Sequence, residues 1–135
     1  MRTATFADTF YYLALLNPRD QAHGAAVAIG ASLSGELVTT RAVLTEVADA
    51  LASPADRPKF LALLAALEAS PEVTIVPVGD DLFRRAVALY RARPDNGWSL
   101  TDCISFVVMQ DEEIVDALTA DRHFSQAGFH PMLAS

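Results

Sequence analysis

The chain has 135 residues, 52% hydrophobic and 20% charged, with a mean hydropathy of +0.25, a net charge of −7 and a pI near 4.7. That length fits one domain with one core, and the composition excludes a disordered chain. The acidic balance argues against a protein that grips nucleic acid with a broadly basic face, and it leaves room for an acid cluster around a cation or for a basic partner.

In chain order, "TATFA" (3–7) reads as a strand that stops on Asp8, and "FYYLALL" opens a helix or turn that "NPRD" (17–20) interrupts, because proline disfavours helix at the preceding residue. "DQAHGAAVAIGASL" (20–33) reads as a helix with Asp20 as its N-cap. "GELVTT" (35–40) reads as a strand and "RAVLTEVADAL" (41–51) as a helix whose stripe is Val43, Leu44, Val47 and Leu51, with Glu46 and Asp49 on a neighbouring face. "SPADRP" (53–58) is a loop or a helix start, and "KFLALLAALEA" (59–69) a helix with more apolar surface than one face needs, which suits a core contact plus a protein–protein surface. "VTIVPV" (73–78) is a β-branched strand and "DDLFRRAVALYRA" (80–92) an amphipathic helix. After the loop "RPDNGWS" comes the buried helix "LTDCISFVVMQ" (100–110), with Ser99 and Asp102 at capping-box spacing. "EIVDALTAD" (113–121) is a strand ending in an acid, followed by the short helix "RHFSQ" and the extended piece "GFHPML". This alternation predicts an α/β fold, a three-layer α/β/α sandwich around a parallel sheet of four to five strands, formed by residues 1–135 as a single domain.

No apolar run reaches the roughly 18 uncharged residues of a membrane span, and the N-terminus lacks the apolar core of a signal peptide. The lone cysteine, Cys103, permits no internal disulfide, and a cytoplasmic location is expected. His23, His123 and His130 are scattered and do not make zinc spacing; His123, two residues past Asp121, is left at most a supporting role. Trp98 reads as a loop anchor, although a tryptophan there also offers a face to a base.

Ligands of open α/β sheets gather beyond the carboxyl ends of the strands. That rule selects Asp8, Glu46, Asp102 and Asp121. At an effective dielectric of about 20, each close pair of carboxylates costs on the order of 4 kcal/mol, which a hard divalent cation such as Mg²⁺ or Mn²⁺ removes. Each acid also has a plainer reading. Asp8 and Asp102 are good helix caps, Asp121 is a turn residue, and Glu46 sits on a solvated helix face.

The stretches "ATFADTFYYLALLNPRDQAH", "TTRAVLTEVADAL", "WSLTDCISFVVMQ" and "ALTADRHFSQAGF" resemble, in order, the four acidic motifs of the PIN-domain nucleases, above all the small VapC-type toxins of toxin–antitoxin modules. The resemblance spans essentially the whole chain. It implies that Asp8, Glu46, Asp102 and Asp121 are catalytic and hold one or two Mg²⁺ or Mn²⁺ ions, with Asp8 and Asp102 most directly at the metal. Thr9 and Thr119 match small hydroxyl positions beside the acids. It further implies hydrolysis of RNA phosphodiesters by metal-activated water, a homodimer, no membrane, and inhibition by a small antitoxin. Arg41 and Arg122 flank two acidic motifs, and Arg84, Arg85, Arg91 and Arg93 lie on or next to one helix; all six are candidate phosphate contacts, with a solvated helix face as the plainer reading of the last four. Other phosphoryl enzymes fit poorly. A haloacid-dehalogenase-type phosphatase needs an acid at Phe10, a receiver domain a late lysine where only Lys59 exists, and a dinucleotide fold a glycine-rich turn that "ADTFYY" lacks. The alternative of another class is a catalytically silent PIN-like scaffold acting through protein partners.

Overall fold

The computed structural model describes residues 3–134. Five strands, β1 (Ala4–Ala7), β2 (Glu36–Thr40), β3 (Val73–Val76), β4 (Asp116–Leu118) and β5 (His130–Pro131), form one sheet in the order β3-β2-β1-β4-β5. Every pairing is parallel, with Phe6 opposite Val38 on one side and Ala117 on the other. Parallel neighbours require crossovers, and seven helices supply them: α1 (Thr9–Leu16), α2 (His23–Ser32), α3 (Arg41–Ala50), α4 (Arg57–Ala69), α5 (Asp80–Ala92), α6 (Leu100–Asp111) and α7 (Arg122–Gln126). The chain moves outward from β1 to β3, then returns past β1 to β4. Right-handed crossovers in opposite directions put helices on both faces, the expected three layers. All strand carboxyl ends therefore share one rim, and the strand order reverses beside β1.

The core is built on Phe6, Val38 and Leu118 from the central strands, each with no exposure, and on α6, buried from Asp102 to Met109. An aromatic cluster holds α7 against it. Phe124 lies between Phe6 (centroids 6.5 Å apart) and Phe106 (4.9 Å, edge-on), and Phe106 also meets Trp98 (5.0 Å) and Phe129 (5.6 Å). Gly35 opens β2 at φ +88°, where a Cβ would come within 2.5 Å of the Thr3 carbonyl oxygen, the acceptor for the Glu36 N–H.

The elements at 41–51 and 80–92 form nearly as expected, and "FYYLALL" resolves to helix. Three boundaries differ. Asp20 does not cap α2: its carboxylate accepts the Ala22 N–H at 2.8 Å and its carbonyl the His23 N–H, so a turn precedes a helix that starts only at His23. The expected strand 113–121 shrinks to three residues, because Glu112 and Glu113 belong to the turn after α6 and Asp121 caps α7. The strand 73–78 ends at Val76, before Pro77, which has no N–H for a ladder.

Candidate active site

Asp8 follows β1 and occupies the N-cap position of α1, yet it makes no capping bond. Its Oδ2 instead accepts the Thr119 hydroxyl at 2.9 Å. Thr119 directly follows β4, and its Oγ1 in turn accepts the Asp121 N–H at 3.1 Å. One fully buried threonine thus links the acid after β1 to the acid after β4. Asp121 caps α7, its Oδ1 accepting the His123 N–H at 2.9 Å. Asp102 completes a capping box, with Oδ2 accepting the Ser99 N–H at 3.1 Å while Ser99 Oγ accepts the Asp102 N–H at 3.0 Å. Capping therefore describes Asp102 and Asp121 correctly, but it engages only one oxygen of each. It does not describe Asp8.

The His123 ring joins the two sides. Its Nδ1 lies 3.0 Å from Asp102 Oδ2, to which it can donate, and 3.5 Å from Asp121 Oδ1. Ligand atoms of Asp102, Asp121 and His123 all fall within 4.8 Å of one another. Asp8 is 5% exposed. Burial pushes its carboxyl up from 3.8 to about 7, and the charges of Asp102 and Asp121 push the same way against the Thr119 hydrogen bond. No arginine or lysine pairs with Asp8, Asp102 or Asp121 among the described residues. A buried carboxyl next to two further acids, with no arginine or lysine to offset them, fits a divalent cation supplied from outside. Carboxylate oxygens are the ligands a hard divalent cation prefers.

Glu46 stands to the side of this cluster. It is half-buried on α3, and its Oε1 accepts the Thr9 hydroxyl from the first residue of α1 at 2.5 Å. It borders a shallow cleft of about 370 Å³ with Arg41, Phe83 and Thr101. Arg41 is exposed and lies 3.6 Å from Glu68, an ordinary surface pair, and Arg122 is exposed on α7. Its place two residues past Asp121 pointed to a supporting role for His123; the contact with Asp102, 21 residues away in the chain, is shown by the fold.

The PIN domain family model matches residues 5–130. The chain is 32% identical over 124 residues to the 23S rRNA-specific endonuclease VapC20 of Mycobacterium tuberculosis, in strains CDC 1551 and H37Rv, covering 92% of this chain and 94% of the relative. The crystal structure of Mycobacterium tuberculosis VapC20, described as a Sarcin-Ricin loop cleaving toxin, superposes with a TM-score of 0.86 at 31% identity over 93% of this chain and 96% of that one. FitAcB from Neisseria gonorrhoeae shares the fold, with a TM-score of 0.66 at 18% identity over 94% of this chain and 95% of that one.

Proposed function

The chain belongs to the PIN domain family, and on that premise we propose that it is a metal-dependent endoribonuclease, the toxin of a toxin–antitoxin pair. The observation that carries the reading is the convergence of Asp8, Asp102, Asp121 and His123 at one rim of the sheet with no arginine or lysine paired to the acids among the described residues. The likeness to VapC20 supports RNA as substrate and makes 23S rRNA the first RNA to test.

Asp8, Asp102 and Asp121 would hold Mg²⁺ or Mn²⁺, with His123 at the margin. The bound ion supplies polarisation of a water and of the attacked phosphate. The chain's own residues fix the geometry. Thr119 orients Asp8, Ser99 and His123 orient Asp102, and Thr9 orients Glu46, which we assign to aligning the attacking water. Hydrolysis forms one P–O bond to the water oxygen and breaks the P–O bond to the leaving ribose oxygen. The water's proton passes to a carboxylate, and the leaving oxygen is protonated from solvent. Leu61 on α4 (62% exposed) and Val27 on α2 (45%) supply apolar surface for a second copy or an antitoxin. Among the described residues no helix is long and apolar enough to cross a membrane.

The test is cleavage of purified 23S rRNA with Mg²⁺, with Mn²⁺ and with chelator, beside Asp8→Asn and Asp102→Asn. Asparagine keeps the shape and, at 102, an oxygen for the Ser99 N–H. Cleavage should need the ion and fall by about 100-fold or more in either variant. Undiminished cleavage in both would remove these acids from the reaction. A silent scaffold would bind partners while cleaving no RNA under any of these conditions.

A further inference from the structure

A cavity of about 670 Å³ lies between the C-terminal half of α5 and the start of α6. Its lining includes Tyr90, Arg91, Arg93, Trp98 and Ser99, and no acidic residue. In a chain of net charge −7 that is a local reversal of sign. The arginines of this region divide sharply. Arg85 is committed to structure, bidentate to Asp111 at 2.9 and 2.6 Å and bonded to Asp81 at 3.0 Å. Arg91 and Arg93 make no ion pair among the described residues. The Arg93 guanidinium lies 4.9 Å from the centre of the Trp98 ring, and that ring is fixed in turn by its Nε1 donating to Gln126 Oε1 at 3.2 Å. Tyr90 leaves 52% of its surface exposed at the same groove.

Hydrogen bonds tie the groove's wall to the acid cluster in two places. Ser99, part of its wall, is the residue whose N–H and hydroxyl hold Asp102. Trp98 is bonded to α7, which carries His123. Two guanidinium groups without an acidic partner, beside an exposed tyrosine, form the pairing that single-stranded nucleic acid uses, phosphates on arginine and a base on the ring. An acidic peptide would use the arginines but would leave the tyrosine face without a role.

Resting on the ribonuclease reading above, we propose that this groove is the RNA-binding extension of the active site: it seats an unpaired nucleotide flanking the cut phosphodiester, with its base on Tyr90 and its phosphates on Arg91 and Arg93.

The test measures binding of a short single-stranded RNA by gel shift across a salt series, in the Asp8→Asn background so that no cleavage intervenes. Tyr90→Ala should weaken binding roughly 5- to 100-fold with the salt slope unchanged, and Tyr90→Phe should restore it. Arg91→Ala with Arg93→Ala should weaken binding and lower the salt slope by about 1.4, at about 0.7 per phosphate contact. Arg93→Lys keeps the charge and guards against a disturbed Trp98, and Lys59→Ala, distant on α4, controls for loss of one positive charge. In the cleaving protein the same changes should raise KM more than they lower kcat, and a duplex of the same sequence should bind no better to the parent than to the variants. Unchanged RNA affinity and slope across the groove variants overturns the proposal, as does an Asp8→Asn protein that binds no RNA. Polyglutamate serves as the acidic-peptide probe: its binding by the parent and loss in the groove variants, with RNA binding kept, also overturns the proposal and makes the groove a protein-binding site. A parent that binds RNA through these residues but cleaves none with any ion defeats the ribonuclease reading while leaving the groove standing.

Discussion

Asp8 is the residue at which stability and chemistry pull in opposite directions. Its carboxyl ionises near 3.8 when exposed and near 7 in the folded chain, chiefly because of burial. Between those values the folded state keeps a proton that the unfolded state has lost, so stability falls as pH rises through that window and is level above it. The cost approaches on the order of 4 kcal/mol at most. Metal-free protein should therefore melt at a lower temperature at pH 8 than at pH 5, beyond any trend shared with Asp8→Asn, and Mn²⁺ should recover the difference at pH 8. The Asn variant should melt higher than the parent at pH 8 without metal; a lower melting point would contradict a penalty on the buried charge. Thr119 is the companion case. Its hydroxyl donates to Asp8 and accepts from Asp121, so Thr119→Val should raise the Mn²⁺ concentration for half-maximal cleavage by roughly 10- to 100-fold, measured by titrating activity with the ion. The places of Asp8 and Asp121 past strand ends and of Asp102 in a capping box were legible in the sequence, whereas Glu46 lies to one side of their cluster. The contact of His123 with Asp102 was not legible, because it spans 21 residues and depends on how α7 is seated.

At the scale of elements, the turn after α6 and the seating of α7 decide how well the acids are held. α6 ends in a pair of bonds, Ile114 N–H to the Met109 carbonyl at 2.8 Å and Glu113 N–H to the Gln110 carbonyl at 3.2 Å, that require a left-handed residue between. That residue is Glu113 at φ 56°, where glycine is the unstrained choice. Glu113→Gly should stabilise by roughly 1 kcal/mol, a rise of about 3–5 °C in Tm by calorimetry. Phe124 is the buried anchor of α7. Phe124→Ala should cost about 3–5 kcal/mol in chemical denaturation and depress cleavage further than the unfolded fraction explains, since α7 carries both Asp121 and His123. Helices with a sharp polar face, such as α5, were readable from periodicity alone. The edges of β4 and α2 were not: backbone pairing and the Asp20 turn set them, and neither leaves a mark in hydropathy.

For the whole molecule, the decisive fact is the placement of β1 between β2 and β4. That order brings residues 8 and 119, separated by most of the chain, within one hydrogen bond. Alternation of strands and helices announced a parallel sheet, but the strand order itself was beyond composition and periodicity and is set by the pairing seen in the structure. The charge balance was legible in total and misleading in detail, since a net charge of −7 conceals a face where Arg91 and Arg93 make no ion pair among the described residues.

Trp98 is the chain's one tryptophan, and it sits where α7, Arg93 and the α5–α6 groove meet. Its intrinsic fluorescence is accordingly an unlabelled optical probe. An oligonucleotide displacing the guanidinium from the indole, or loosening of α7, would change the emission of this single fluorophore.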